Sequence, residues 1–368
     1  MKGQSVIWID ITNAPHVHVF KNLIRRLSSN YETLVTARDF GPIFDLLEDE
    51  GIDYIPAGKH GGPTREGKLH ASIERERELY KIFSERKPTL CVFKHSVEAA
   101  RVSFGLNIYS MALVDNEHAE AQNRLTIPIT QKIIIPSVIP IQNITYYGAK
   151  RENITTFDGV CEVAHVKEIC SPNVIKKQIP DLDTGKKIIT VRPEPVLADY
   201  MRENGENSLC TSVIYNLLKD REDIQIVFLP RSEKQKQEAK MLFEGVICPE
   251  KVHGPTLLSI SSLLIGGGGT MNREAALLGT PSISCYPGEL LAVSKYFIEK
   301  NLIFQSQDLD EILDKSAEIL DSDVEKYRER AKNLFENLED PVDVLIEEIK
   351  RKIGRSEEKI SVEMSEAT

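Results

Sequence analysis

Ser262-Leu263-Leu264-Ile265-Gly266-Gly267-Gly268-Gly269-Thr270-Met271-Asn272-Arg273-Glu274-Ala275-Ala276-Leu277-Leu278-Gly279 reads as a buried strand, a glycine turn and a helix that the last glycine ends. The junction presents unpaired backbone N–H groups and the positive end of a helix dipole. Glycines remove the Cβ atoms that would keep an anion from the main chain. The stretch therefore predicts an α/β fold with an anion site formed by Gly267, Gly268, Gly269 and Thr270. No Lys-Ser or Lys-Thr follows the glycines, and no acidic residue closes a strand about 20 residues later, so neither an ATPase phosphate loop nor a dinucleotide loop fits. Glu274 stands one turn into the helix, where it can accept hydrogen bonds from ribose hydroxyls or simply face solvent.

Outward from this stretch, β-branched runs alternate with amphipathic segments along most of the chain, the pattern of parallel sheets with crossover helices. Strands are expected at 5–11, 33–36, 54–55, 89–93, 109–114 and 132–136, and again at 187–191, 224–229, 245–248, 262–265 and 282–285. Helices are expected near 18–29, 44–50, 72–86, from 97, 207–218, 272–278, 290–300 and over most of 309–352. The polar turn Asp181-Leu182-Asp183-Thr184-Gly185 marks a linker, which gives one domain over 1–170 and a second over 180–352. Residues 355–368 are polar and aperiodic and are expected to form a disordered tail.

At 368 residues the chain exceeds one ordinary core and suits two. No apolar run approaches a membrane span, and Val6-Ile7-Trp8-Ile9 stops at Asp10, too short for a signal peptide, so a cytoplasmic protein is expected. The net charge of −10 argues against a nucleic-acid partner, which requires a basic face. The six cysteines lack any Cys-x-x-Cys spacing and read as reduced core thiols, with no metal expected.

Ligands of open α/β sheets bind beyond the carboxyl ends of the strands. After the first strand come Asn13, Pro15, His16 and His18, with Pro15 near a helix start that places both histidines at the strand end. Lys59-His60-Gly61-Gly62 opens a polar loop of the kind that either closes over a substrate or is ordinary surface, His95 follows the fourth strand, and Asp115 and Glu117 follow the fifth. These residues supply acid–base candidates, namely His16, His18, Asp115 and Glu117, with Asn13, His60, Gly61 and His95 as substrate contacts. In the second domain Arg192 and Arg231 end strands where guanidinium groups can neutralise a bound anion without a metal ion.

The run from Gly267 through Glu274 to Gly279-Thr280-Pro281 resembles the nucleotide-sugar motif of GT-B-fold enzymes, in particular the UDP-GlcNAc 2-epimerases and the peptidoglycan N-acetylglucosaminyltransferase. Asp10-Ile11-Thr12-Asn13-Ala14-Pro15-His16-Val17-His18 with Lys59-His60-Gly61-Gly62 is more particularly similar to the archaeal family called domain of unknown function 354, over nearly the whole chain. The resemblance implies a GT-B-like fold of two Rossmann-type domains facing a central cleft. It also implies a nucleotide sugar as substrate rather than a bound cofactor, with Gly268 to Thr270 on the diphosphate and Glu274 on the ribose. The epimerases' Thr-x-His-Arg is here Thr190-Val191-Arg192-Pro193, without the histidine. The leading expectation is thus a metal-independent glycosyltransferase using a UDP-sugar. The alternatives are a non-hydrolysing NDP-sugar 2-epimerase and a non-catalytic nucleotide-sugar-binding protein. The acceptor is left open, as is a homodimer.

Overall fold

The computed structural model describes residues 5–194 and 209–366. Two compact units result, one from the chain up to His165 together with the chain from Glu339 onward, the other from Val166–Leu338.

The first unit is built on β1 (Val6–Ile11), β2 (Glu32–Asp39), β3 (Ile55–Lys59), β4 (Leu90–Lys94), β5 (Tyr109–Leu113), β6 (Lys132–Pro136) and β7 (Ile154–Phe157). All pairings are parallel, in the order β3-β2-β1-β4-β5-β6-β7. The order reverses between β1 and β4, so the crevice where a doubly wound sheet takes its ligand lies beyond Ile11 and Lys94. Every residue of β1 and β4 is buried, because helices cover both faces of the sheet. Beneath this crevice, Arg75 holds the buried carboxylate of Asp10 through two bonds of 2.6 and 3.1 Å, and Ser96 Oγ donates to it at 2.6 Å. Asp10 is therefore structural.

The second unit carries β8 (Lys187–Arg192), β9 (Ile224–Phe228), β10 (Leu263–Gly266), β11 (Ser282–Ser284) and β12 (Ile303–Gln305), again all parallel, in the order β12-β11-β10-β8-β9. Its switch point falls between β8 and β10, beyond Arg192 and Gly266. The strand expected at 245–248 reduces to one bridge between Val227 and Ile247. The helix expected from 207 is described from Leu209 to Asp220, its first two residues lying outside the described ones.

Two sequence expectations are corrected. The domain expected over 180–352 ends instead at Leu338, because the helix Pro341–Glu366 returns to the first unit. Its Val342, Leu345, Ile346, Ile349 and Ile353 recur at helical spacing and join the core of Phe20, Leu23 and Leu27. Glu348 fixes this docking, 3.3 Å from buried Lys132 on β6 and accepting from Thr155 Oγ1 at 2.7 Å. Sequence shows the apolar stripe but not which sheet will cover it. The tail expected to lack structure from 355 is helical through Glu366, continuing the same helix.

Candidate functional site

In the second unit, β10 enters the glycine loop and the helix Thr270–Leu278 leaves it. The loop is anchored where Gly267 N–H donates to the Arg192 carbonyl at 2.9 Å and Asn272 Nδ2 donates to the Gly266 carbonyl at 3.2 Å. Gly269 caps the helix without a side-chain hydrogen bond, so its first N–H groups are not satisfied in the usual way by a Ser or Asp oxygen. Gly268, Gly269 and Thr270 remain half-exposed, whereas Gly267 is buried.

The structure gives the glycines a further reason to exist. A Cβ on Gly268 would lie 2.6 Å from Arg231 Nη2, and one on Gly269 would lie 2.6 Å from Arg273 Nη1. A Cβ on Gly267 would collide with Glu194, and one on Gly266 with Asn272. Gly268 and Gly269 are thus bare where guanidinium groups come down onto them. Arg231 Nε donates to the Pro193 carbonyl at 2.7 Å, and Arg192 Nη1 donates to the carbonyls of Leu229 and Pro230, each at 2.8 Å. Gln235 ties the two strand ends together, accepting from Arg231 N–H at 2.8 Å and donating to the Glu194 carbonyl at 3.1 Å.

Burial pushes Arg192 down to about 10, and Arg231 pushes the same way while Glu274 opposes them. Arg192 therefore sits among like charge, and Glu274, buried on the loop helix, partly compensates it. Positive charge, a helix N-terminus and bare backbone converge at one strand end, an arrangement that can hold an anion. Arg273, which sequence reasoning passed over although it lies inside the motif, brings its Nη1 beside Gly269.

In the first unit, the ends of β1, β4 and β5 bring His16, Lys94, His95 and Asp115 together. Lys94 Nζ donates to Asp115 Oδ2 at 2.6 Å, and His95 Nε2 lies 3.5 Å from Asp115 Oδ1. Burial alone would lower the Lys94 pKa, but Asp115, Cys161 and Glu162 raise it, so the ammonium stays charged. Lys94 and Glu162 were not foreseen; the signal for Lys94 is a lysine closing the apolar strand Leu90–Lys94. His95 holds a left-handed backbone, φ 49°, and neither of its ring nitrogens makes a hydrogen bond among the described residues. Strain of this kind in a non-glycine residue persists where surrounding structure enforces it, typically at functional sites.

His16 is buried, and its Nδ1 accepts from Thr12 N–H at 3.4 Å. Burial, with Lys94 and His95 acting in the same sense, holds its pKa well below the usual imidazole range. The ring is thus neutral with its proton on Nε2, a hydrogen-bond donor rather than a base. His18, two positions on in the helix Ala14–Leu27, diverges from it and stacks on His165 with centroids 5.3 Å apart. His16 thus joins Lys94 and Asp115 while His18 packs on His165, since residues two apart do not face each other on a helix. Glu117 is buried with Oε1 3.8 Å from His118 Nε2, and its carbonyl accepts from Tyr147 Oη at 3.0 Å. Asn13 and His60 lie toward β2 and β3: Asn13 Oδ1 is 3.4 Å from Arg38 Nη2, and His60 stacks on Phe40 beside Gly61. Among the described residues, no group of three or more His, Cys, Asp or Glu side chains is arranged to hold a metal ion, and no helix is long and apolar enough to cross a membrane.

Comparison with known proteins places this geometry in context. The family described as "Protein of unknown function (DUF354)" matches residues 5–353. A protein of Methanocaldococcus jannaschii described as uncharacterized is 39% identical over 349 residues, 93% of this chain and 97% of its own. Among solved structures, UDP-GlcNAc 2-epimerase from Neisseria meningitidis bound to UDP-GlcNAc is similar at a TM-score of 0.68 and 13% identity, over 94% of this chain and 100% of that one. The glycotransferase of kitacinnamycin is similar at a TM-score of 0.65 and 13% identity, over 95% and 99%. At such identities the likeness is one of fold, two parallel-sheet α/β units of GT-B type.

Proposed function

This chain belongs to the DUF354 protein family, and from that premise and its two strand-end sites we propose that it is a metal-independent glycosyltransferase using a nucleotide-diphosphate sugar, with a UDP-sugar as donor. The observation that carries the reading is the approach of Arg231 and Arg273 to the glycine loop, with Arg192 beside Arg231 at the switch point of the second unit. Their charge, with the N-terminus of the helix Thr270–Leu278, would stabilise the nucleoside diphosphate as it leaves, the task a divalent ion performs in other transferases. Glu274, a turn along that helix, would accept from the ribose hydroxyls.

In the first unit His95 is the group suited to take the proton of an acceptor hydroxyl. Its ring nitrogens carry no hydrogen bond among the described residues, and Asp115 stands ready to stabilise the imidazolium that forms. Asp115 is itself held by Lys94, and neutral His16 would donate from Nε2.

A second reading, a non-hydrolysing NDP-sugar 2-epimerase, draws on the carboxylates Asp115 and Glu162, both acting on Lys94, since epimerisation needs a carboxylate to remove a sugar proton. Incubating the protein with UDP-GlcNAc in D2O separates the readings. The C2 epimer or deuterium at C2 would establish the epimerase. UDP release only when a hydroxyl acceptor is added would support the transferase. A thermal shift by neither UDP nor any nucleotide sugar would overturn both.

A further inference from the structure

We propose that the end of β2 carries an anion-binding subsite, built on Arg38, Asn13, Phe40 and His60, that takes the carboxylate or phosphate of a ring-bearing acceptor; only the word acceptor rests on the transferase reading above. Arg38 Nη2 donates to the Thr12 carbonyl at 2.8 Å and reaches Asn13 Oδ1 at 3.4 Å, while Nε is buried with no hydrogen-bond acceptor among the described residues. The two carboxylates that act on Arg38, Glu98 and Asp10, are already bonded to Arg75, and Arg38 forms no ion pair of its own among the described residues. A buried guanidinium Nε without an acceptor, beside carboxylates already taken by Arg75, is costly, and an anion docked against Arg38 supplies what those shared carboxylates do not.

Phe40 stands beside it, 39% exposed although large and apolar. Its ring is held by stacking on His60, with centroids 4.1 Å apart and planes at 19°, and lies 5.4 Å from the Arg38 guanidinium carbon. His60 is fixed in turn, its Nδ1 accepting from Gly62 N–H at 3.1 Å, which leaves Nε2 as a donor in the neutral ring. The loop beneath is closely packed. A Cβ on Gly61 would collide with the Gly67 carbonyl, and Thr64 Oγ1 caps the helix Arg65–Ser84 by accepting from Gly67 N–H at 3.0 Å. A flat aromatic surface, a guanidinium lacking its anion and a second N–H donor at one strand end match a ring that bears a negative group.

Hydrogen exchange on the full chain tests this with phenyl phosphate, benzoate and UDP, each added alone. Either aryl anion is expected to slow exchange over 37–41 and 58–64, the stronger of the two showing whether phosphate or carboxylate is preferred, whereas UDP slows exchange over 263–274. Arg38→Gln is expected to weaken aryl-anion binding about tenfold, the loss of one charge-assisted contact, and to leave the UDP effect unchanged. If that variant does not fold, Arg38→Lys and Phe40→Ala take its place and are expected to weaken the same binding. Aryl anions that protect only 263–274, or that bind the variants as tightly as the parent, would overturn the subsite. A missing UDP effect beside an intact aryl-anion effect would instead overturn the nucleotide reading and leave the subsite standing.

Discussion

His95 Nε2 lies 3.5 Å from Asp115 Oδ1, while Asp115 Oδ2 accepts from Lys94 Nζ on its other side. One carboxylate thus stands between a lysine that donates to it and a histidine ring within reach. If His95 is the base, His95→Asn is the informative change, because asparagine tolerates the left-handed backbone at φ 49° but cannot accept a proton at neutral pH. Turnover with donor and acceptor is expected to fall by about 10² to 10⁴, with donor KM and the urea midpoint near their parent values. Undiminished turnover would remove His95 from the chemistry.

His16 makes a pH prediction whose sign follows from burial, which with Lys94 and His95 depresses its pKa while Asp115 opposes them. Above about pH 6.5, the ordinary imidazole value, the ring is neutral in folded and unfolded chains alike. Below it the unfolded chain takes up the proton first, so stability is lost as pH falls from there through the folded-state pKa. His16→Gln, which keeps an acceptor for Thr12 N–H, is expected to flatten this acid limb. Urea midpoints measured from about pH 7.5 to about pH 5 read it; parallel limbs in parent and variant would show that His16 titrates normally.

Two glycines of one loop are expected to answer differently to the same substitution. Gly268→Ala meets only the tip of Arg231, which can swing away, so stability should change by less than about 1 kcal/mol while the guanidinium leaves its place and UDP affinity drops about tenfold. Gly266→Ala meets the buried Asn272 side chain, whose Nδ2 holds the Gly266 carbonyl, and should cost about 1–3 kcal/mol of stability. Calorimetric titration with UDP beside chemical unfolding checks both. Equal UDP affinity in parent and Gly268→Ala would mean that Arg231 takes no part in binding.

The same loop shows what sequence can and cannot display. Strand, glycine turn and helix are contiguous, so local pattern sufficed to locate β10 and the helix Thr270–Leu278. The reason for so many glycines was only partly local: Asn272 and Arg273 lie in the same motif, but Arg231 arrives from beyond β9, and its approach is a tertiary fact. Likewise Lys94 and Asp115 each ended a recognisable strand, but their pairing depends on β4 and β5 being neighbours. Edge strands β7 and β12, of 4 and 3 residues, escaped notice because a strand with one neighbour is only partly covered and carries no long apolar run.

The C-terminal helix supplies the prediction that most directly tests how the chain is divided. Leu345 and Ile349 follow the second unit in sequence yet are fully buried in the core that includes Phe20, Leu23 and Ile9. Leu345→Ala or Ile349→Ala should each cost about 2–5 kcal/mol, the range for emptying a packed aliphatic site. The loss should appear as faster hydrogen exchange in β1 and the helix Ala14–Leu27, with β8 and β10 unchanged. The polar anchor should behave in the same way: Glu348→Gln weakens the link to Lys132 and leaves a buried ammonium on β6 without its carboxylate, destabilising the first unit alone. Exchange that quickened in β8 and β10 instead would mean that the helix stabilises the unit it follows in sequence. The apolar stripe at 342, 345, 349 and 353 would then have a different partner from the one its packing indicates.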